Sequence, residues 1–255
     1  MSAVERERRG HVEILTINRP EARNAINGDV TAAMSAALDE VTGDDDCWVV
    51  VLTGAGDKAF SAGMDLKAFA SGQGASIIDA HGFAGITRRA FPKPIIAAVN
   101  GSALAGGCEI MLSCDLVVAA EHAMFGIPEV KRGLVAGAGG LIRLPRRLPR
   151  AVALELALTG EPMDASRALQ LGLVNRVVPV ADLMDEALAL AETIAANAPL
   201  AVRLSKKVMV ESVDLPEDQA WGLSDSSFGQ VASSADAMEG AVAFAEKRVP
   251  NWQGK

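Results

Sequence analysis

Three short apolar runs constrain the fold of this chain most strongly. Residues 48–53, 94–99 and 115–119 read WVVVLT, PIIAAV and DLVVA. Runs of this length with almost no polar alternation are typical of strands in a parallel sheet that is covered on both faces. The sequence therefore predicts an α/β fold with buried strands.

Hydrophobic periodicity and capping residues place the other elements. Asn27 is a good N-cap for a helix, Asp164 is a good N-cap for another, and Gly172 is a good stop signal for that second helix. Residues 67–92 are rich in Ala and Gly and weakly periodic, so we expect a mobile helical segment there. Further strands are predicted at residues 11–18, 123–127 and 174–178, and further helices at 106–113, up to about 148, and at 150–158, 182–196, 199–212, 216–230 and 234–248. We expect a strand-and-helix body at 1–197 and a helical region at 198–255.

Composition excludes several classes of function. The chain has 255 residues, half of them apolar, which is enough for one large domain or one domain with an appendage. The net charge of -8 argues against nucleic acid and anionic membranes as main partners. The three cysteines form no CxxC motif and the three histidines have no metal-ligand spacing, so we expect buried, reduced thiols and no metal. The charged N-terminus does not resemble a secretory signal, and no window is apolar enough to span a bilayer. We therefore expect a cytoplasmic enzyme.

The segment with the most chemical information is residues 100–115, NGSALAGGCEIMLSCD, which follows one of the apolar strands. Gly106 and Gly107 begin a predicted helix, where the first backbone N–H groups have no intrahelical acceptor. Glu109 lies in the first turn of the same helix. Free N–H groups beside a carboxylate suit a site that stabilises an oxyanion while a proton moves nearby.

A second glycine segment supplies a matching donor. In FSAGMD, residues 60–65, Gly63 allows the backbone to turn so that the Met64 N–H is left free. A free N–H at Met64 and another at Gly106 would form a two-donor oxyanion hole. Removal of one such donor typically costs about 3–4 kcal/mol of transition-state stabilisation.

Glu109 and Glu129 form a candidate acid–base pair. Two glutamates are usually solvated surface residues, but here both follow predicted strands and both adjoin glycine-rich backbone. Proximity of two buried carboxyl groups pushes their pKa values apart, and such pairs divide the acid and base roles.

Other chemistries have weaker signals. The segment 54–59, GAGDKA, matches a dinucleotide-binding pattern, but Gly63 interrupts the helix that should follow it. There is no G-x-S-x-G nucleophile motif, and Cys108 has no histidine near it in the sequence. We therefore interpret residues 54–59 as a loop and Cys108 as a structural thiol.

Several segments, in order, resemble the enoyl-CoA hydratase (crotonase) family. They are NRPEARNAI, KAFSAGMDL, KPIIAAVNGSALAGGCEIMLSCD, FGIPEVKRGLVAGAGG, GLVNRVV and FAEKRVPNW, and they cover nearly the whole chain. The resemblance implies a crotonase (ClpP-like) spiral of β-β-α turns with two sheets, followed by a C-terminal helical trimerisation region. It also implies a homotrimer or a dimer of trimers.

The resemblance also implies roles for individual residues. The oxyanion hole falls on the N–H groups of Met64 and Gly106, and the hydratase acid–base pair falls on Glu109 and Glu129. Coenzyme A contacts fall on Arg23, Ala25, Ala62, Asp65 and Leu66, with Lys247 as a phosphate contact within the chain or to a neighbouring subunit.

The expected activity is syn hydration of a trans-2-enoyl-CoA to a 3-hydroxyacyl-CoA, with no metal or redox cofactor. Retention of both glutamates favours hydration, because relatives of other activities have often lost one. Three alternatives stay open: a carnitinyl-CoA dehydratase-like hydro-lyase, which GFAGIT, LIRLPRRLP and the ending AFAEKRVPNWQGK resemble, a double-bond isomerase that uses Glu129 alone, and a non-catalytic acyl-CoA binder.

Overall fold

The computed structural model describes residues 2–255, with the exception of the Gln73 side chain. The strands are β1 (Val4–Arg9), β2 (Val12–Ile17), β3 (Val49–Gly54), β4 (Ala59–Ser61), β5 (Ile78–Asp79), β6 (Gly82–Phe83), β7 (Ile95–Val99), β8 (Ser102–Leu104), β9 (Leu116–Ala120), β10 (Met124–Gly126), β11 (Met163–Asp164) and β12 (Arg176–Val178). The α-helices are α1 (Gly28–Gly43), α2 (Leu66–Ala70), α3 (Gly106–Met111), α4 (Gly140–Arg147), α5 (Arg150–Thr159), α6 (Ala165–Gln170), α7 (Leu183–Ala195), α8 (Pro199–Glu211), α9 (Glu217–Ala232) and α10 (Ala235–Glu246). Short 3-10 helices span Pro20–Ala22, Gln73–Ile77, Pro128–Arg132 and Val180–Asp182.

The larger sheet has six strands in the order β1-β2-β3-β7-β9-β12. Only the β1–β2 pair is antiparallel, and the other neighbours run parallel. Every residue of β3 and of β7 is buried. One face of this sheet packs against α7, and the other packs against α1 and the rest of the core. The predicted sheet covered on both faces is therefore confirmed.

The smaller sheet positions the candidate site. Its order is β11-β10-β8-β4, and β4, β8 and β10 run parallel to one another. The carboxyl ends of these three strands therefore meet at one edge of the sheet, which is where ligands bind in many α/β proteins. The chain continues from β4 to Met64, from β8 to Gly106, and from β10 to Glu129. Three segments far apart in the sequence are thus brought to one place.

Local signals agree with several predicted helix ends. The Asn27 side chain accepts a hydrogen bond from the Val30 N–H over 3.0 Å at the start of α1. The Asp164 side chain accepts one from the Arg167 N–H over 2.7 Å at the start of α6. Gly172 has a φ of +77° just after α6, which is the left-handed conformation of a helix stop. The segment 54–59 leads into strand β4 and not into a helix, so the loop interpretation is confirmed.

One strand of the larger sheet has no counterpart among the sequence predictions, and one sequence prediction is wrong. Strand β1 was not predicted, because its sequence VERERR reads as a charged surface segment. It forms because it pairs with β2 along its whole length, where Arg6 and Arg8 both donate to the buried Glu13 carboxylate. Residues 67–92 hold all but the first residue of the short helix α2, together with a 3-10 helix, the β5–β6 hairpin and turns. A mainly helical segment is therefore the wrong description.

Helices α8 to α10 follow the sheets. The C-terminal tail returns to α10, where the buried Asp236 carboxylate accepts hydrogen bonds from the Gln253 and Gly254 N–H groups. Among the described residues, no single helix is long and apolar enough to cross a membrane. One pair, Val180–Ala195 with Pro199–Glu211, passes the length and composition test together but is bent by 103°.

Candidate active site

A cavity of about 910 Å³ opens at the edge where β4, β8 and β10 end. It is mainly apolar, and Met64, Gly106, Glu109 and Glu129 all line it. The side chains of the two glutamates therefore share one cavity, and the charge of Glu109 acts on the pKa of Glu129.

The Met64 N–H is left free by the pairing of its neighbours. Met64 forms an isolated parallel bridge with Ile26. In this bridge the Ile26 N–H donates to the Gly63 carbonyl over 2.8 Å, and the Asp65 N–H donates to the Ile26 carbonyl over 2.9 Å. These bonds use the groups on either side of Met64, so its own N–H points away from Ile26.

The Gly106 N–H is the second donor. Gly106 is the first residue of α3, so its N–H has no acceptor within the helix. The residue before it, Ala105, has a φ of +51° and a ψ of -128°, a conformation that an alanine rarely adopts and that costs about 1–3 kcal/mol. A Cβ atom at Gly63 would lie 2.6 Å from the Gly106 nitrogen, so the two donor segments are in direct contact.

The Glu109 carboxylate is held by backbone donors. It is only 3% exposed, and its Oε1 atom accepts hydrogen bonds from the Ala138 N–H over 2.7 Å and the Gly140 N–H over 2.9 Å. Burial raises the pKa of Glu109, while these two N–H groups and the nearby Arg143 guanidinium act in the opposite direction. The net pKa is above the ordinary glutamate value, with one carboxylate oxygen fixed in position.

Glu129 differs from Glu109 in its hydrogen bonding. Its Oε2 atom is buried and has no hydrogen-bond partner among the described residues. Burial raises the pKa of Glu129, and the charge of Glu109 raises it further. A buried carboxyl oxygen without a partner is costly to ionise, so this group is suited to hold a proton for transfer.

The geometry therefore combines two free N–H donors, one anchored carboxyl group and one unpartnered carboxyl group in a single cavity. The sequence model of the family described as "Enoyl-CoA hydratase/isomerase" matches residues 7–255 of the chain. The chain belongs to the enoyl-CoA hydratase/isomerase family. The crotonase fold predicted from the sequence is thereby confirmed.

Relatives and solved structures of this family match the chain over nearly its whole length. The carnitinyl-CoA dehydratase of Salmonella enteritidis PT4 is 42% identical over 254 residues, which cover 97% of both chains. The enoyl-CoA hydratase structure from Mycobacterium tuberculosis H37Rv is 49% identical with a TM-score of 0.97, and each chain is covered completely. The carnitinyl-CoA hydratase structure from Mycobacterium avium is 52% identical with a TM-score of 0.81, again with complete coverage.

Most residues that the family resemblance singled out lie at this cavity. Asp65 caps helix α2, and its carboxylate pairs with Arg19 over 3.0 Å. Burial acts to raise the pKa of Asp65, but the hydrogen bonds from the Ala68 N–H and from Arg19 together hold it below its usual value. Lys247 is the C-cap residue directly after α10 and does not line the cavity of its own chain, so its proposed phosphate contact stays a prediction. The cavity-lining residues from that prediction are Arg23, Ala25, Ala62, Met64, Asp65, Leu66, Gly106, Glu109 and Glu129.

Sequence reasoning missed the donors that hold Glu109. The Ala138 and Gly140 N–H groups lie in the glycine-rich segment 133–140, GLVAGAGG, and none of the sequence predictions gives these two donors a role. Repeated glycine beside a predicted acid–base pair is the signal that indicates close backbone approach. The three cysteines are free and buried, as expected. Among the described residues, no group of three or more His, Cys, Asp and Glu residues is arranged to hold a metal ion.

Proposed function

We propose that this protein is an enoyl-CoA hydratase, which adds water reversibly to a trans-2-enoyl-CoA to give a 3-hydroxyacyl-CoA. The observation that carries this proposal is the presence of Glu109 and Glu129 in one cavity with the free N–H groups of Met64 and Gly106. Hydration needs a site for the thioester oxygen, a held water molecule and a proton for carbon, and these four groups supply them.

In this mechanism the thioester carbonyl oxygen accepts hydrogen bonds from Met64 and Gly106. Negative charge grows on that oxygen when water adds to the β-carbon, so the two donors stabilise the transition state more than the ground state. Preorganised backbone donors of this kind need no reorganisation during the reaction. The free N–H of each residue is the basis for this role.

The glutamates then handle the water and its protons. Glu109 orients and helps activate the water through its free oxygen, because its Oε1 atom is already occupied by the Ala138 and Gly140 N–H groups. The water oxygen bonds to the β-carbon, the C=C electron pair moves to the thioester enolate, and Glu129 supplies the proton to the α-carbon. The glutamate pair accepts the proton that leaves the water. This proton replaces the one that Glu129 gave to carbon, so atoms and charge balance. The unpartnered Glu129 Oε2 atom supports its role in proton transfer. The reaction needs no cofactor other than the coenzyme A of the substrate.

The test is a panel of trans-2-enoyl-CoA thioesters of increasing acyl length, mixed with the purified protein. Hydration removes the conjugated double bond, and the absorbance of the conjugated thioester falls with turnover. Formation of the 3-hydroxyacyl-CoA is checked by mass spectrometry as a gain of one water. Absence of turnover with every member of the panel, together with tight acyl-CoA binding, would support a non-catalytic binder instead.

A second candidate is a carnitinyl-CoA dehydratase-like hydro-lyase, which uses the same chemistry on a substrate with a trimethylammonium head group. The Salmonella enteritidis carnitinyl-CoA dehydratase and the Mycobacterium avium carnitinyl-CoA hydratase, to which the chain is 42% and 52% identical, favour it. The two candidates differ in the head group that the cavity accepts. A comparison of the turnover of crotonyl-CoA with that of crotonobetainyl-CoA distinguishes the two candidates.

We also propose that helices α8 to α10 bind other copies of the chain in a homotrimer or a dimer of trimers, within a cytoplasmic protein. Large apolar side chains on these helices are exposed in the single chain, including Met209, Trp221, Phe228 and Phe244. Exposed apolar side chains that are this numerous are typical of a surface that another chain covers. Size-exclusion chromatography with light scattering measures the assembly, and a monomer would contradict the proposal.

A further inference from the structure

Arg143 lies in helix α4 between two segments of the cavity wall. Its Nη2 atom donates to the Thr87 carbonyl over 2.6 Å, and its Nη1 atom donates to the Ala138 carbonyl over 3.4 Å. The guanidinium is half-buried and forms no ion pair among the described residues. A partly buried guanidinium that bonds two backbone carbonyls fixes the distance between them.

The Ala138 end of this contact supports Glu109 directly. The carbonyl of Ala138 accepts from Arg143, while the N–H of Ala138 donates to the Glu109 Oε1 atom. Between Ala138 and the second donor, Gly140, the chain turns at Gly139, which has a φ of +113°. A Cβ atom at Gly139 would lie 2.2 Å from the Arg143 Nη1 atom, so the turn packs closely on the guanidinium.

The hydrogen bond from Arg143 to Thr87 leads to the part of the cavity wall beside Gly106, the second proposed oxyanion donor. Thr87 is 1% exposed, and its Oγ1 atom accepts a hydrogen bond from the Phe83 N–H over 2.9 Å. The Phe83 ring in turn lies against Gly106, where an added Cβ atom would be 2.5 Å from the ring. Arg143 therefore joins the segment that holds Glu109 to the segment that packs on the Gly106 donor.

We propose that Arg143 is a positioning residue for the hydration reaction: it holds the Ala138–Gly140 turn in place, so that Glu109 keeps its orientation relative to the oxyanion hole. This inference rests on the function proposed above. Arg143 does not act on the substrate itself. A displacement of about 1 Å in such a support can lower a rate by about 10²-fold.

Electrostatics gives this role a separate readout. The Arg143 guanidinium lowers the pKa of Glu109, against the larger effect of burial. The other charged or titratable groups around this pair are Arg146 and Arg147 on α4, Cys114 after α3, and Cys108 and Glu129 beside Glu109. None of the arginines other than Arg143 acts on the pKa of Glu109. Loss of the Arg143 charge therefore raises the pKa of Glu109 further.

The chain offers a matched control on the same helix. Arg147 is also half-buried, and it also donates to a backbone carbonyl, that of Cys114, over 2.5 Å. Cys114 does not line the cavity. Substitution of Arg147 thus removes the same kind of contact without affecting the turn that holds Glu109.

The experiment compares Arg143→Met, Arg143→Lys and Arg147→Met with the wild type on crotonyl-CoA from pH 5 to 9. We expect kcat of Arg143→Met to fall by about 10²-fold, with KM changed less and the acidic limb of the pH profile moved to higher pH. Arg143→Lys should keep the acidic limb at its wild-type pH, because the positive charge is retained. It should restore only part of kcat, because one ammonium group does not hold both carbonyls. Arg147→Met should keep the wild-type kcat and the wild-type position of the acidic limb, with a loss of melting temperature comparable to that of Arg143→Met.

Two further measurements keep the proposal separate from the proposed function and from misfolding. The pKa of Glu109 is measured by carbon-13 NMR in the wild type and in Arg143→Met, which needs no turnover. Gly139→Ala pushes the guanidinium aside without deleting it and should lower kcat in the same direction. The proposal is wrong if Arg143→Met matches Arg147→Met in kcat and in the pKa of Glu109. If the wild type hydrates no thioester, the proposed function fails, and an unchanged pKa of Glu109 would still overturn this inference.

Discussion

A Cβ atom at Gly63 would lie 2.6 Å from the backbone nitrogen of Gly106. The segment after β4 and the start of α3 are therefore so close that only a hydrogen atom fits between them. Gly63 also has a φ of +84°, which an alanine adopts only with strain. The two proposed oxyanion donors, Met64 and Gly106, thus depend on one glycine that is next to the first and touches the second.

Gly63→Ala is expected to lower kcat for hydration by about 10²–10³-fold, because the added methyl group displaces one donor of the oxyanion hole. The control is Gly172→Ala, since Gly172 has a similar φ of +77° but has nothing within 4 Å of an added Cβ atom. Both variants should lose about 1–2 kcal/mol of stability from the left-handed conformation. Steady-state kinetics and thermal unfolding of the pair measure the two effects. A Gly63→Ala enzyme with wild-type kcat would exclude this oxyanion hole.

Glu109→Gln separates a hydratase from an isomerase. Hydration uses both glutamates, so this change should lower the hydration rate by about 10²–10⁴-fold. An isomerase that works through Glu129 alone would keep nearly its full rate on a trans-3-enoyl-CoA. Glu121→Gln, at an exposed position away from the cavity, is the control and should keep the wild-type rate. A Glu109→Gln enzyme that still hydrates crotonyl-CoA normally would contradict the proposed role of the pair.

Glu129→Gln should make the folded protein more stable than the wild type, by a margin that grows as the pH rises above 4.5. Burial raises the pKa of Glu129 in the folded protein above the ordinary value of 4.5, so the folded state keeps this proton at a pH where the unfolded state has lost it. The wild type therefore loses stability from pH 4.5 up to the raised pKa, while the glutamine variant does not. The advantage of the variant should open over that range and then stay constant, with a size of about 1 kcal/mol or about 2–4 °C in melting temperature. Calorimetry of both proteins from pH 4 to pH 8 tests this, and a constant difference at every pH would refute it.

The parts of this site that are predictable from sequence have local signals. Gly63 and Gly106 stand where the chain must turn or approach another backbone, and Glu109 and Glu129 follow strand ends in apolar surroundings. Asn27 and Asp164 are capping residues next to periodic helices, so their roles are equally local.

The missed parts depend on contacts between distant segments. The Ala138 N–H reaches a carboxylate 29 residues away, and no pattern within residues 133–140 specifies that partner. Strand β1 has a charged sequence, and it becomes a strand only because β2 pairs with it and Glu13 accepts from Arg6 and Arg8. In residues 67–92, alanine content favours a helix, but the glycines instead permit the turns around the β5–β6 hairpin. For strand β1, pairing with a neighbouring strand overrides the local propensity.

The charges of the cavity lead to a prediction about the head group of the substrate. Five basic residues and four acidic residues line the cavity of a chain whose net charge is -8, and two of the four acids are the glutamates with raised pKa values. Arg88 lines the cavity next to Thr87, whose carbonyl accepts a hydrogen bond from Arg143. The Arg88 guanidinium has no ion-pair partner among the described residues. A cation at this wall disfavours a trimethylammonium group near it.

We therefore expect the wild type to hydrate 5,5-dimethylhex-2-enoyl-CoA with a higher kcat/KM than crotonobetainyl-CoA, which has the same shape but carries a positive nitrogen. Arg88→Gln should narrow this preference by about threefold, a modest change because the side chain is exposed to solvent. Lys67→Gln is the control, since Lys67 adjoins Asp65 and Leu66 at the predicted coenzyme A contacts. It should lower kcat/KM for both thioesters by the same factor and leave their ratio unchanged. A wild type that prefers the cationic thioester would instead favour the carnitinyl-CoA dehydratase-like activity.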